Sequence, residues 1–129
     1  MTHRDEEEHL LKRSKEFLET AKYQIGKGFY ALTALSLEQA LQLHLKSKML
    51  AKGIDYPRTR SVRTLLEILM DLSSEKEKLV IKNLLENYLL ELGMLEDAYI
   101  TSRYVMREFK REEVEKLMRV VEEVMKNVT

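Results

Sequence analysis

Arg103 is the residue whose position most clearly suggests chemistry. Six apolar or aromatic residues before it recur at spacings of four, three, four, three and four, and the next position on that stripe is Arg103. The stripe comprises Ile81, Leu85, Tyr88, Leu92, Leu95 and Tyr99. Because such spacing marks one face of a helix, we expect Arg103 to point inward. A guanidinium placed there must find a carboxylate or a phosphate to offset its desolvation.

A candidate partner for Arg103 is Glu38, in the central helical stretch Phe29 to Lys52. On a helical wheel Glu38 lies at the border of the buried stripe. Two interpretations stay open, a structural arginine paired with a carboxylate such as Glu38 or a ligand contact, and they can coexist. One carboxylate cannot satisfy every N–H donor of a guanidinium, so spare donors could bind a phosphate. We therefore predict that Arg103, Tyr104 and Glu38 border a polar cleft at the end of the bundle that contacts an anion or nucleotide.

A second group of cations lies earlier in the chain. Arg58, Arg60 and Arg63 form the one local basic cluster, on the proline-containing loop and the start of the third predicted helix. Arg58 and Arg60 alternate with Thr59 and Ser61 near a helix N-terminus, which suits a phosphate site. A solvated loop is the commoner explanation of such a cluster.

The histidines do not favour a metal site. His3 and His9 lie near the start of the first helix, His44 lies beside the apolar arc of the central helix, and no two share ligand spacing on one helix. The absence of Cys excludes disulfides, thiolate metal sites and a cysteine nucleophile. We expect no metal, no cofactor and no catalytic residue set, with His44 a packed or rim residue.

The hydrophobic periodicity predicts five helices. The first two run from about Arg4 to Ile25 and from Phe29 to Lys52. Ser61 can cap the third, which has apolar positions from Val62 to Leu72, and the serine pair Ser73-Ser74 starts the fourth, which continues to Tyr104. The last helix has apolar positions from Val114 to Val128 on its buried side. Gly26 and Gly28 should fold the first two helices into a hairpin, and Gly93 need not end the fourth. The central helix is apolar on two sides, so it needs two surfaces to cover it.

Composition restricts the class of protein. A chain of 129 residues with 44% hydrophobic content forms one domain, residues 1–129, and its 22 basic and 22 acidic side chains cancel, so no global positive field attracts nucleic acid. No apolar run approaches the ~18 residues that a membrane span requires. Without a signal-peptide pattern, we expect a cytoplasmic protein with no membrane partner. Abundant Lys, Glu and Arg with few Asn and Gln also fit a heat-adapted source, a thermophile.

These residues carry a resemblance to a known family. The segment ALSLEQALQLHLKSKMLAKGIDYPRTRSVRTLLEIL, followed by LEDAYITSRY and a closing helix, resembles the HEPN domain family over nearly the whole chain. The resemblance implies an all-α, five-helix, antiparallel up-and-down bundle that is usually a homodimer. It also implies frequent association with a minimal nucleotidyltransferase in a two-component, toxin-antitoxin-like system. Some members are metal-independent ribonucleases.

The chain departs from the family where catalysis is concerned. The family's nuclease signature is an Arg followed four to six residues later by His, but the residues after Arg103 include no histidine. The residues that survive at matching positions are Glu38, Tyr99, Arg103 and Tyr104, a set able to bind a phosphate or a base. Tyr99 also has core spacing, and such tyrosines more often fill a bundle than stack on a ligand.

Three functions follow, in this order. The chain is a helical partner of a nucleotidyltransferase, a nucleotide-binding domain, or a ribonuclease with a degenerate site in which Glu108 is the only nearby proton acceptor. We expect a homodimer, because one layer of helices cannot easily bury both the central and the fourth helix. We also expect ordinary ribonuclease activity to be absent, since arginine cannot accept the 2′-hydroxyl proton at neutral pH.

Overall fold

The computed structural model describes residues 2–129, which contain six α-helices and no strand. In chain order the helices are α1 (His3–Gly26), α2 (Tyr30–Ala51), α3 (Val62–Asp71), α4 (Glu75–Asn87), α5 (Leu89–Tyr104) and α6 (Arg111–Asn127). The all-helical class is therefore confirmed, but the number of helices is six rather than five.

α1 and α2 form the hairpin that the two glycines predict. The hydroxyl of Thr2 accepts a hydrogen bond from the amide of Asp5 and so caps the start of α1. Gly28 then adopts a φ of +77°, a left-handed conformation that residues with a Cβ atom rarely adopt. The chain reverses there, and the α1–α2 pairing is the most extensive contact between any two helices of residues 2–129.

α2 is the central helix, as the sequence predicts. It packs against α1, α3, α5 and α6, and Leu37, Leu41 and Leu45 on it are completely buried. The second apolar face of α2, on which Leu32 lies, is covered only in part, as the 47% exposure of Leu32 shows. Polar side chains of α2 such as Ser47 are also buried, so this helix brings polar groups as well as leucines into the core.

The predicted fourth helix is two helices, α4 and α5, and the break falls at Tyr88 rather than at a glycine. Tyr88 has φ −119° and ψ 26°, well outside helical values. Its amide still donates to Leu84 and its carbonyl still accepts from Leu92, so the chain bends without losing these hydrogen bonds. Gly93 lies within α5, as expected. The bend leaves Leu89 and Leu90 54% and 79% exposed.

Two serine caps set the starts of α3 and α4. Ser61 accepts a hydrogen bond from the amide of Thr64, and Ser74 accepts one from the amide of Glu77. Both caps are at the serines that the sequence indicates. The Ser61 cap fixes the end of the loop that carries Arg60, which positions the candidate site.

One continuous hydrophobic core joins the helices, and each of the six contributes to it. From α6 the buried residues are Val114, Leu117, Val120, Val121 and Val124. None of the helices described in residues 2–129 is long and apolar enough to cross a membrane.

Candidate functional site

Two arginines lie over the ring of Tyr99. The guanidinium carbon of Arg60 is 3.9 Å from the ring centroid, and that of Arg103 is 4.3 Å from it. Arg60 lies in the loop before α3, whereas Tyr99 and Arg103 are one turn apart on α5. Arg103 Nη1 also donates a hydrogen bond of 2.9 Å to the hydroxyl of Tyr99. Cation–π contacts are worth ~0.5–1 kcal/mol at exposed sites, enough to orient both cations.

Arg103 does not point into the core, and this corrects the expectation from the periodic stripe. Its side chain is exposed. The buried residues of α5 are Leu92, Leu95 and Ala98, so after Leu95 the inner position passes to Ala98 rather than to Tyr99. The buried face therefore rotates away from Tyr99, which is half-buried, and Arg103 reaches the surface. Within residues 2–129 no carboxylate lies within 4.0 Å of the Arg103 guanidinium.

Glu38 is completely buried rather than at the border of the buried stripe. Its carboxylate accepts hydrogen bonds of 2.8 Å from the side-chain amides of Gln39 and Gln42. Arg60 Nη2 lies 3.5 Å from Glu38 Oε1, so the cation beside Glu38 is Arg60. Of the two interpretations of Arg103 left open by the sequence, the structure does not contain the pair with Glu38. Burial raises the pKa of Glu38, and Arg60, Gln39 and Lys46 oppose that rise.

A cleft of about 250 Å³ opens beside the two arginines. Its lining combines cations, polar groups and an apolar wall, and consists of Phe17, Leu35, Ser36, Gln39, Arg60, Tyr99 and Arg103. Ser36 is already occupied, because its hydroxyl donates to Gln24 Oε1 over 2.6 Å. The polar groups left to contact a ligand are the two guanidinium groups, the hydroxyl of Tyr99 and the side-chain amide of Gln39, whose nitrogen also donates to Glu38.

The sequence-predicted residues are thus brought together only in part. Tyr99 and Arg103 line the cleft, and Glu38 lies beneath it, in contact with Arg60. Tyr104 is 71% exposed and is not part of the lining. Arg58 and Arg63 are likewise outside it, so of the basic cluster only Arg60 belongs to the cleft.

Arg63 has a structural partner instead. The carboxylate of Glu96 on α5 accepts hydrogen bonds from Arg63 Nε at 2.9 Å, Arg63 Nη2 at 2.8 Å, the Arg63 amide at 3.0 Å and the Ser61 hydroxyl at 2.8 Å. Burial alone would raise the pKa of Glu96, but these hydrogen bonds outweigh it and the pKa is lowered. The Arg63–Glu96 contact ties the start of α3 to α5 and so holds Arg60 over Tyr99.

His44 does not line this cleft. Its Nε2 lies 2.6 Å from the carbonyl oxygen of Val128, which can only accept, so Nε2 carries the proton. The prediction that His44 is a packed residue agrees with its 4% exposure. In the part of the chain that the structure describes, no three His, Asp or Glu side chains are grouped to hold a metal ion.

A larger cavity of about 640 Å³ lies at the C-terminal end of α2, away from Tyr99. It places Lys48, Lys52 and Lys76 beside Glu7 and Glu77, and Lys52 pairs with Glu77 at 3.7 Å. Its charges largely cancel, so we assign no ligand to it.

Sequence reasoning missed Phe17, Leu35, Ser36 and Gln39 as lining residues, and it placed Arg60 in a secondary cluster. The position of Gln39, directly after Glu38, was the one available signal for it. Nothing in the sequence indicates that the loop before α3 folds over α5, because that contact depends on the Arg63–Glu96 pair.

Comparison with known proteins agrees with this fold. A family model described as HEPN domain matches residues 7–129. Among solved structures, the crystal structure of TT1696 from Thermus thermophilus is similar, with a TM-score of 0.76 and 24% sequence identity. The match covers 95% of this chain and 94% of that one, and at this identity it shows the fold alone. No curated protein matches this chain in sequence.

Proposed function

The chain belongs to the HEPN domain family, and on that premise we propose that it is a helical module that binds nucleotides and works with a protein partner. The cleft formed by Arg60, Tyr99 and Arg103 is the nucleotide contact. Tyr104, 71% exposed beside it, is available to a partner or ligand without lining the cleft.

The observation that carries this proposal is the pair of guanidinium groups with unused donors. Arg103 donates to Tyr99 and has no carboxylate partner within residues 2–129, and Arg60 meets Glu38 only at 3.5 Å. Guanidinium groups bind phosphate through two parallel hydrogen bonds, a geometry that a lysine cannot provide. Two such groups in one cleft therefore favour a phosphate-bearing ligand.

A thermal-shift experiment with AMP, ADP, ATP and GTP tests the nucleotide contact. We expect at least one nucleotide to raise the melting temperature of the wild type, since a ligand of the folded state stabilises it. Arg103→Lys should abolish that shift while leaving the melting temperature of the free protein nearly unchanged, because Arg103 is exposed. Arg58→Lys, in the loop but outside the cleft, is the matched control and should keep the shift. If no nucleotide shifts the wild type, the assignment fails.

The protein partner that we propose is a minimal nucleotidyltransferase in a two-component, toxin-antitoxin-like system. It is supported by family membership. The described residues that line the cleft include no histidine to act as a general acid or base, which favours a binding role over catalysis. Co-purification from the native host, followed by identification of bound protein and nucleotide, tests it. Recovery of the chain without a nucleotidyltransferase, under conditions that retain other known complexes, would contradict it.

We also propose that the chain is a homodimer. Large apolar side chains are exposed on α5 and just after it: Leu89, Leu90, Ile100, Tyr104, Val105 and Met106. A monomer rarely exposes so many large apolar side chains along one helix and the residues after it without a use for them. A second copy of the chain would cover them.

The alternative is a metal-independent ribonuclease with a degenerate site. It needs a proton acceptor that reaches the substrate, and Glu38 cannot serve because it is completely buried. Glu108 is exposed but does not line the cleft. Incubation with structured and single-stranded RNA tests this alternative, and efficient cleavage that Arg103→Ala abolishes would establish it over the binding module.

A further inference from the structure

We propose that the group bound in this cleft is a phosphomonoester dianion, such as the phosphate of a nucleoside monophosphate, and that Arg60 moves from Glu38 to the phosphate when it binds. This inference rests on the proposed nucleotide binding and specifies the chemical group that the cleft recognises.

The Tyr99 ring is already in contact with two guanidinium groups. Arg60 lies 3.9 Å and Arg103 4.3 Å from its centroid, so a base that stacked on this ring would have to displace a guanidinium. The charged contacts available to a ligand are therefore the two guanidinium groups rather than an open aromatic face. Two cationic donor groups favour the phosphate end of a nucleotide.

The size of the cleft points the same way. Its volume of about 250 Å³ is below the ~300–1,000 Å³ of typical small-molecule pockets. A compact phosphate with part of its ribose fits, and the base extends outside. Phe17 and Leu35 form an apolar wall that offers the phosphate no competing acceptor.

The charges favour a doubly charged ligand. Arg60 and Arg103 carry two positive charges, and among residues 2–129 the only carboxylate at the cleft is Glu38 beneath it. A phosphomonoester has its second pKa near 6, so it carries close to two negative charges at neutral pH. A phosphodiester carries one. The monoester also has one more charged oxygen that can accept hydrogen bonds from the two guanidinium groups.

Arg60 is free to exchange partners. Its side chain is 48% exposed, and its 3.5 Å separation from Glu38 is longer than the ~2.7–2.9 Å of a strong charge-assisted hydrogen bond. Glu38 retains the two 2.8 Å hydrogen bonds from Gln39 and Gln42 when Arg60 leaves. Glu38 thus competes with the phosphate for Arg60 and does not depend on Arg60 alone.

Isothermal titration with AMP, cyclic AMP, adenosine and inorganic phosphate tests the ligand chemistry. We expect AMP to bind about tenfold or more tightly than cyclic AMP, the loss expected for one charge-assisted hydrogen bond. Adenosine should not bind, and inorganic phosphate should compete with AMP. Equal affinity for AMP and cyclic AMP, or binding of adenosine, would overturn the inference and leave nucleotide binding intact. If none of the four ligands binds, the proposed function fails as well.

A second arm separates two sources of the same group. A 5′-phosphorylated oligoribonucleotide that competes with AMP, while its 5′-hydroxyl counterpart does not, supports the monoester and identifies an RNA end as a source. Equal competition by both oligonucleotides would show that the backbone diester is recognised and would overturn the inference.

The exchange of Arg60 is tested by Glu38→Gln. Removing the competing carboxylate should strengthen AMP binding severalfold, whereas Arg60→Lys should weaken it about tenfold. Far-ultraviolet circular dichroism shows whether each variant is folded. If folded Glu38→Gln binds AMP more weakly than the wild type, Glu38 positions Arg60 rather than competing for it, and the exchange is wrong.

Discussion

Arg60 Nη2 lies 3.5 Å from Oε1 of the completely buried Glu38, and the same guanidinium covers the ring of Tyr99 at 3.9 Å. The loop before α3, rather than the end of α5, therefore supplies the cation that faces the buried carboxylate. Arg103 has no acidic partner within residues 2–129, so the two guanidinium groups beside one carboxylate leave the cleft positively charged.

Glu38→Gln should stabilise the protein at neutral pH. Burial raises the pKa of Glu38, so the folded state binds the proton more readily than the unfolded state. The contribution of Glu38 to stability is therefore fully present below its ordinary pKa of 4.5 and is lost as the pH rises through the folded-state value. The loss is about 1.4 kcal/mol for each pH unit by which the pKa is raised.

Urea unfolding of the wild type and Glu38→Gln between pH 4 and pH 8 measures this difference. The stability gained by the variant should grow with pH and vanish near pH 4. Glu86→Gln, at an exposed position on α4, is the control and should show no such trend. A gain that is the same at every pH would show that the carboxylate charge is not responsible.

The Arg63–Glu96 pair should contribute measurably to stability. Glu96 is 14% exposed and accepts two hydrogen bonds from the Arg63 guanidinium, although solvent access to Arg63, which is 39% exposed, weakens the pair. A double-mutant cycle with Arg63→Gln and Glu96→Gln should give a coupling energy of about 1–2 kcal/mol. The exposed pair Arg13–Glu16 should give about 0.5 kcal/mol or less. Equal coupling for the two pairs would argue against this role.

Two glycines should respond oppositely to substitution by alanine. In Gly93→Ala the new Cβ would meet only the Arg63 side chain, at an ordinary van der Waals distance of 3.6 Å, so the variant should gain about 0.5–1 kcal/mol from the helix preference for alanine. Gly53 has a φ of +81°, and Gly53→Ala should lose about 1 kcal/mol or more. Urea unfolding measures both, and a loss in Gly93→Ala would mean that the added methyl group disturbs the Arg63 side chain beside it.

Light scattering at micromolar concentration should give twice the 15.3 kDa mass of the chain. Leu90→Asp, at a 79% exposed position on α5, should produce monomers, because it places a charge in the proposed apolar interface. Leu72→Asp, at a 43% exposed position after α3, is the control and should remain dimeric. A wild type that is monomeric across this concentration range would refute the dimer.

The sequence predicts the helices well where one local signal sets each boundary. The Ser61 and Ser74 caps and the turn at Gly28 are all at the predicted residues. The bend at Tyr88 was missed because the apolar spacing continues through it and no glycine or proline marks it. Helix periodicity alone cannot distinguish one helix from two that share a hydrogen-bonded junction.

The candidate site is less accessible to sequence reasoning. Tyr99 and Arg103 are found because they lie on one helix, where spacing determines which residues are neighbours. The direction of Arg103 was wrong because Ala98, a small residue, takes the inner position after Leu95. Arg60 reaches Tyr99 through a loop, and no periodicity predicts where a loop side chain will lie.

Isothermal titration of AMP and ATP into the wild type and the double variant Arg60→Lys/Arg103→Lys tests the central claim most directly. The double variant keeps both positive charges but loses both guanidinium groups, which can each donate two parallel hydrogen bonds to a phosphate. We therefore predict that nucleotide binding is lost while the melting temperature of the free protein is nearly unchanged. Arg58→Lys should bind like the wild type. Nucleotide affinity that survives in the folded double variant would contradict the assignment of this cleft as the nucleotide site.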